Sequence, residues 1–171
     1  MTRLLRPFLL FSLAALLAGC AGAPAAAPRE PVPVEPSVPL AAPTSLAITL
    51  VRSPSCGCCA GHADHLARAG YDVASTLTDG YIAVKDAHGI PADMRSCHTS
   101  LVGRYFVEGH VPAAAIEQLL RELPEIDGIA LPGMPPGSPG MGGVAEGPLV
   151  VWAIEDGRVV GEFGRFAGVD E

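Results

Sequence analysis

The residues in this chain most suited to chemistry are three cysteines within four positions, Cys56, Cys58 and Cys59, in the segment SPSCGCC. Thiolates are nucleophiles, electron donors and ligands for soft metal ions, so a cluster of this kind suits redox chemistry or metal binding. A fourth cysteine, Cys97, stands much further along the chain in the segment MRSCHTS. The function of the cluster therefore depends on whether the fold brings the fourth thiol to the other three.

Three interpretations of these cysteines remain open from the residues alone. Cys56 and Cys59 have the C-x-x-C spacing of a thiol–disulfide oxidoreductase, although Cys58 then lies beside the pair without a role. Alternatively, the thiolates bind a soft metal such as Cu(I) or Zn(II), and Gly57 allows the backbone to turn tightly between two ligands. In the third interpretation the cysteines form two structural disulfides in an oxidising compartment, and one of these joins Cys97 to the cluster.

Thioether groups elsewhere in the chain bear on the choice between these metals. The segment GMPPGSPGM holds Met134 and Met141 in a predicted loop, where they have no core to fill. Met94 and His98 lie on either side of Cys97 in the segment MRSCHTS. Zinc sites use ligand pairs spaced by about two to four residues, and the cluster contains one such pair. If the methionines are also ligands, copper is the better fit.

The remaining histidines are interpreted as structural rather than ligating. His62 and His65 lie three positions apart on a predicted helix, where a polar face explains them as well as ligation does. His88 is expected at an exposed helix end. His110 precedes a predicted helix and is expected to cap or pack.

Hydrophobic patterning places these residues on an α/β scaffold. Strands are predicted over 46–51 and 71–77, helices over 58–69 and 82–88, a hairpin over 100–107 and a helix that begins at Pro112. A loop rich in glycine and proline over 128–147 precedes a last hairpin over 149–163. This order predicts a thioredoxin-like mixed sheet with flanking helices, plus a C-terminal hairpin.

The order of elements also predicts where the cysteines meet. The segment SPSCGCC lies where the first strand passes into the first helix. The unpaired N–H groups and the positive dipole end of a helix stabilise thiolates. In a thioredoxin-like fold the turn before the third strand faces the start of the first helix, so Cys97 is predicted to reach the cluster.

The N-terminal segment predicts an exported, lipid-anchored protein. Residues 1–19 have the basic start and apolar stretch of a signal peptide, too short for a comfortable transmembrane span. The ending LAGC resembles the lipobox of bacterial lipoproteins, in which Cys20 would become the lipidated first residue. Because Ala21 follows rather than aspartate, the resemblance favours the outer membrane, facing the periplasm. Residues 20–43 are then a tether rich in proline and alanine, and residues 44–171 are the folded domain.

Composition argues against one class of function. The chain of 171 residues carries a formal net charge of −7 and shows no basic patch, so nucleic-acid binding is not expected. The negative charge mildly favours cationic ligands. The folded domain is long enough to bury a hydrophobic core of its own.

Five separated segments carry a family resemblance when they are taken in order: SPSCGCC, DHLARAGY, SCHTS, VEGHVPAAAI and LPGMPPGSPGM. Across them the chain resembles the CopG-type periplasmic copper-resistance proteins, a metal-binding family long of unknown function. The resemblance implies a thioredoxin-like fold in which four sulfurs hold copper, those of Cys56, Cys58, Cys59 and Cys97. It also suggests further ligands, which are Met94, His98, Met134 and Met141. His62 departs from the family pattern, which more often has an aromatic residue at that position.

The resemblance implies a role in copper tolerance. The expected protein is periplasmic and lipid-anchored, holds Cu(I) either as single ions or as a multinuclear cluster, and cycles copper between Cu(I) and Cu(II). Its expected partners are copper ions, copper-export or other copper-resistance proteins, and the membrane through the lipid on Cys20. Whether the protein is an enzyme, as a copper oxidoreductase, is left open. The alternative function is a thiol–disulfide oxidoreductase that uses Cys56 and Cys59.

Overall fold

The structure, a computed structural model, describes residues 46–169. The predicted signal peptide over 1–19, the predicted lipidation site Cys20 and the predicted tether over 20–43 lie outside the described residues. Within residues 46–169, no helix has both the length and the apolar character needed to cross a lipid bilayer.

One mixed β-sheet of seven strands organises the described residues, in the spatial order β2-β1-β3-β4-β5-β6-β7. The strands are β1 Ala47–Arg52, β2 Asp72–Leu77, β3 His98–Val102, β4 Tyr105–Glu108, β5 Gly128–Ala130, β6 Leu149–Glu155 and β7 Arg158–Phe166. The helices are α1 Gly57–Arg68, α2 Tyr81–Ala87 and α3 Ala113–Glu122, and a short 3-10 helix spans Ala92–Met94.

The first four strands form the thioredoxin-like half of the sheet. Strand β1 pairs with β2 in parallel and with β3 in antiparallel orientation, and β3 pairs antiparallel with β4. With α1 joining β1 to β2 and α3 following β4, this is the order predicted from the sequence. The predicted α/β class and thioredoxin-like sheet are therefore confirmed.

Alternating side chains of the central strands build a core on each face of the sheet. Tyr105 and Val107 of β4 pack with Leu66 of α1 and with the apolar side of α3. Phe106, between them in sequence, packs on the opposite face with Ile90 and the end of β6. The two-residue period of a strand thus places α1 and α3 on one face, and the segment after α2 on the other.

Strand β5 is a difference from the prediction, which placed a loop over 128–147. The strand has three residues, all buried, and it pairs in parallel with β4 and antiparallel with β6. A side chain at Gly128 would collide with the backbone and ring of Phe106. A strand this short that begins with glycine carries little local signal, so the neighbouring strands decide its conformation. The predicted C-terminal hairpin of β6 and β7 therefore continues the same sheet.

Candidate metal centre

The three clustered cysteines lie at the start of α1, directly after β1. Cys56 precedes the helix in an extended conformation, and Cys58 and Cys59 occupy its first turn. The Cys56 amide donates to the carbonyl of Ser53, and the Arg52 guanidinium donates to the carbonyl of Cys56 at 3.1 Å. Both bonds fix the turn that presents the sulfurs at the positive end of the helix.

Of the four cysteines within residues 46–169, two are joined and two are free. Cys56 and Cys59 form a disulfide, whereas Cys58 and Cys97 are thiols. The Cys58 sulfur lies 3.5 Å from that of Cys56 and 3.9 Å from that of Cys97. The four sulfur atoms all lie within 4.8 Å of one another, so the structure brings Cys97 to the clustered trio.

The hairpin of β3 and β4 positions Cys97 and places His110 opposite it. Thr99 pairs with Glu108, and the Gly109 amide donates to the carbonyl of His98 at 3.0 Å. One step further along this antiparallel register, Cys97 faces His110. The Nε2 atom of His110 lies 3.0 Å from the Cys97 sulfur, and the Nδ1 atom of His98 lies 3.4 Å from it.

Backbone carbonyls determine the tautomers of the histidines that surround Cys97. The Nδ1 atom of His110 lies 2.7 Å from the carbonyl of Pro139, which can only accept, so Nδ1 carries the proton and Nε2 presents a lone pair to the sulfur. The Nε2 atom of His98 lies 2.7 Å from Nδ1 of His62, and Nε2 of His62 lies 2.9 Å from the carbonyl of Val111. These residues form what we call the sulfur–histidine cluster, which consists of Cys97, His62, His98 and His110.

Burial holds Cys97, His98 and His110 in their uncharged forms. Burial and the adjacent Cys58 raise the pKa of the Cys97 thiol to about 11. Burial, reinforced by the nearby His62, lowers the pKa of His98 well below its ordinary value, and burial also lowers the pKa of His110. Near neutral pH, therefore, a thiol proton faces two imidazole lone pairs. A metal ion that replaced this proton would meet one sulfur and two nitrogen donors.

The loop rich in glycine and proline packs against the first turns of α1. A side chain on Gly140, whose φ is +79°, would strike the backbone at Cys58 and His62. This close approach explains the glycine and brings the adjacent Pro139 carbonyl to His110. Met141, half-buried, follows Gly140 in this loop, whereas Met134 is exposed over 53% of its surface.

Met94 lies in a different environment from the cysteines. It is half-buried against the apolar cluster of Ile90, Phe106 and Ala130, on the α2 face of the sheet. His65 accepts a hydrogen bond from the Ala113 amide, at the first residue of α3. His65 is not among the described histidine, cysteine and acidic residues whose donor atoms converge.

A buried ion pair holds the turn before Cys97 from the opposite face of the sheet. The Lys85 nitrogen donates to Glu108 at 2.6 Å and to Thr99 at 3.0 Å, and the same Glu108 oxygen accepts from the Ser96 amide at 2.6 Å. Burial raises the pKa of the Glu108 carboxyl, and the Lys85 charge and the hydrogen bonds that Thr99 and Ser96 donate act against this shift. We call this the ion-pair cluster, which consists of Lys85, Thr99 and Glu108.

Sequence reasoning missed His110 and His62 as members of the site. A signal for His110 was present in the predicted hairpin, because extending its pairing beyond β3 and β4 places that residue opposite Cys97. His62 carried no such signal, since its partners His98 and Val111 are distant in sequence. Its interpretation as part of a polar helix face is corrected, because the side chain is fully buried.

The donor set suits a soft metal ion. Cys97, His98 and His110 offer one sulfur and two nitrogen atoms within 4.8 Å of one another, and the other three cysteine sulfurs lie alongside. Thiolate and imidazole are ligands that copper and zinc accept, whereas calcium and magnesium require oxygen. The fold and the site therefore define a thioredoxin-like protein with a candidate centre for a soft metal.

Comparisons with known proteins identify its family. Two solved structures, entitled copper resistance protein copG in forms 1 and 2, are each 40% identical to the chain with a TM-score of 0.66. The matches cover 72% of this chain and 99% of form 1, and 71% of this chain and 98% of form 2. A family described as a protein of unknown function, DUF411, matches residues 94–141. No curated protein matches. The chain belongs to the copper resistance protein CopG family, as its motifs predicted.

Proposed function

We propose that this protein binds copper at the sulfur–histidine cluster and serves copper resistance. The observation that carries the proposal is the convergence of two imidazole lone pairs on the Cys97 sulfur, with Cys58 at 3.9 Å. The proposed ligands are Cys58, Cys97, His98 and His110, together with Cys56 and Cys59 when their disulfide is reduced. Met94, Met134 and Met141 remain candidates from the sequence.

Copper is favoured over zinc for two reasons. The homologous structures are entitled copper resistance proteins. In addition, a group of cysteine sulfurs within 4.8 Å of one another suits Cu(I), which readily binds thiolates that bridge between ions. A small multinuclear Cu(I) cluster is therefore part of the proposal, with copper as cargo rather than a permanent cofactor.

The disulfide between Cys56 and Cys59 supports a redox role. In the reduced protein, the two thiolates would each transfer one electron to a Cu(II) ion as their sulfurs join. This step forms one disulfide and two Cu(I) ions. A dithiol reductant would return the pair to thiolates. The same disulfide also favours the second candidate function, thiol–disulfide exchange without metal.

The proposed location is the periplasm, with a lipid on Cys20 as the anchor and residues 20–43 as the tether. Copper-export or other copper-resistance proteins are the proposed recipients of the bound copper. These elements rest on the sequence motifs and on family membership.

The copper site is tested by anaerobic Cu(I) titration against a chromophoric chelator. We expect tight binding by the reduced protein and a loss of affinity of about a thousandfold or more in the Cys97→Ser variant, about 4 kcal/mol. Val160→Ser is the control, because it also introduces a serine, at an exposed position of β7 that belongs to no candidate site. Equal affinities in wild type and Cys97→Ser would refute the proposal.

The redox step is tested separately. Reduced protein is mixed with Cu(II) without oxygen, and Cu(I) and disulfide are counted by chelator absorbance and by alkylation with mass spectrometry. We expect two Cu(I) ions per disulfide, and a lower yield of both products in a Cys56→Ser variant, which lacks one thiol of the pair. If metal-free protein instead catalyses exchange with a disulfide substrate and Cys58→Ser retains that activity, the second function is favoured.

A further inference from the structure

His62 connects the sulfur–histidine cluster to the backbone. Its side chain lies in α1, is fully buried, and packs against His98 with ring centroids 4.6 Å apart. Its two ring nitrogens have different partners. Nε2 lies 2.9 Å from the carbonyl oxygen of Val111, and Nδ1 lies 2.7 Å from Nε2 of His98.

The chemistry of these partners assigns the protons along the chain of rings. A carbonyl oxygen accepts and never donates, so Nε2 of His62 carries a proton. In neutral imidazole the other nitrogen is then an acceptor, and Nδ1 of His62 takes a hydrogen bond from Nε2–H of His98. As a result, His98 has its lone pair on Nδ1, which is the nitrogen 3.4 Å from the Cys97 sulfur.

We propose that His62 is a positioning residue for the copper site, which fixes His98 in the tautomer and ring orientation that present Nδ1 to the metal. This inference rests on the proposed function. A residue that accepts from a ligating histidine restricts its ring and raises its basicity as a ligand, and losing such a residue typically costs about 10–100-fold in metal affinity.

The geometry separates this role from simple packing. An apolar ring of similar size would fill the space between α1 and β3, but it would offer no acceptor to Nε2–H of His98. His110 provides an internal comparison, since its tautomer is fixed by the Pro139 carbonyl and does not depend on His62. A change at His62 should therefore alter His98 and leave the tautomer of His110 as it is.

The experiment compares His62→Phe with His62→Asn in the reduced protein. Phenylalanine keeps the ring and removes the acceptor, whereas the asparagine oxygen can replace Nδ1 as the acceptor. Long-range ¹H–¹⁵N NMR of the metal-free proteins reports the tautomer of each histidine. We expect the Nε2–H form of His98 in wild type and in His62→Asn, and its loss in His62→Phe. His88→Phe, at the exposed end of α2, is the control for replacing an imidazole ring with a phenyl ring.

Cu(I) affinity, measured by competition with bicinchoninate, is the second readout. We expect a decrease of about 10–100-fold for His62→Phe and less than about threefold for His62→Asn. The inference is overturned if His62→Phe keeps both the tautomer and the affinity, or if the asparagine variant loses as much affinity as the phenylalanine variant. Should His62→Phe not fold, an Nδ1–H tautomer of His98 in wild type would overturn it. A wild-type protein that binds no Cu(I) would overturn the proposed function as well.

Discussion

Two buried polar clusters lie on opposite faces of the pair formed by β3 and β4. They differ in whether each hydrogen-bond acceptor has a donor of its own. In β3, His98 points towards α1, and the next residue, Thr99, points towards α2. The ion-pair cluster contains its own cation, and its carboxylate accepts three hydrogen bonds from within the chain. In the sulfur–histidine cluster, two imidazole lone pairs share one thiol proton.

This difference indicates which cluster is structural and which is a site. Burying charged and polar groups is tolerated when every group is paired, as it is in the ion-pair cluster. A cluster with more acceptors than protons is improved by a cation from outside. The ion-pair cluster also supports the other one, because the carboxylate of Glu108 holds the amide of Ser96, next to Cys97.

The largest effect is expected from the Lys85→Met substitution, which removes the cation of the ion-pair cluster. The fully buried Glu108 carboxylate would lose its counter-charge, which typically costs about 3–5 kcal/mol. Urea denaturation of the metal-free protein measures the change in the free energy of unfolding. Adding Glu108→Gln should recover part of the loss, because glutamine keeps an acceptor for Ser96 and removes the charge.

The control for this prediction is Arg165→Met, which breaks a largely exposed ion pair with Glu162. Exposed pairs are typically worth about 1 kcal/mol or less. A Lys85→Met variant as stable as Arg165→Met would contradict the structural role of the ion-pair cluster.

The Gly140→Ala substitution should affect the sulfur–histidine cluster from its loop side. Its new methyl group would strike the backbone at Cys58 and His62, which forces the loop outward at a cost of about 1–3 kcal/mol. Because Pro139 moves with the loop, we also expect Cu(I) affinity to fall. Gly142→Ala is the matched control, since it has a similar φ of +66° and open space around its added carbon. Equal losses of stability and Cu(I) affinity in both variants would show that the positive φ of the glycine, and not the close contact at Gly140, causes the effect.

Acid should destabilise the metal-free protein through the sulfur–histidine cluster. Burial lowers the folded-state pKa of His98 and His110, so below pH 6.5 the unfolded chain binds protons that the folded chain excludes. The free energy of unfolding should therefore fall with decreasing pH, by about 1.4 kcal/mol per pH unit for each histidine until its folded pKa is reached. Urea denaturation at several pH values measures this slope. A His110→Asn variant should lose about half of this slope. Identical slopes in wild type and variant would contradict a lowered folded-state pKa for His110.

The smallest effect is expected at Met94, which packs beside Phe106 on the face of the ion-pair cluster. A Met94→Leu substitution conserves volume and should cost less than about 1.5 kcal/mol of stability. We expect its Cu(I) affinity to stay within about twofold of wild type, because the side chain packs against Phe106 and leucine fills the same space. A tenfold loss of affinity would instead establish Met94 as a ligand, as the sequence suggested.

The sequence predicted the part of the site that depends on local structure. Cys56 to Cys59 follow a strand and begin a helix, so their placement could be inferred from hydrophobic patterning. The meeting of Cys97 with them followed from the predicted order of strands. Strand β5 could not be predicted, since a three-residue segment beginning with glycine is stabilised by its neighbours β4 and β6.

The sequence by itself determined the thiol chemistry, the α/β order of elements and the likeness to the CopG family, because these depend on residue type and on spacing along the chain. The tertiary structure decided which nitrogen of each histidine faces the sulfur. It also decided that His62 is buried and that Lys85 neutralises Glu108. The physical reason is that a histidine tautomer or a buried ion pair depends on partners distant in sequence, which only the folded backbone brings within hydrogen-bonding distance.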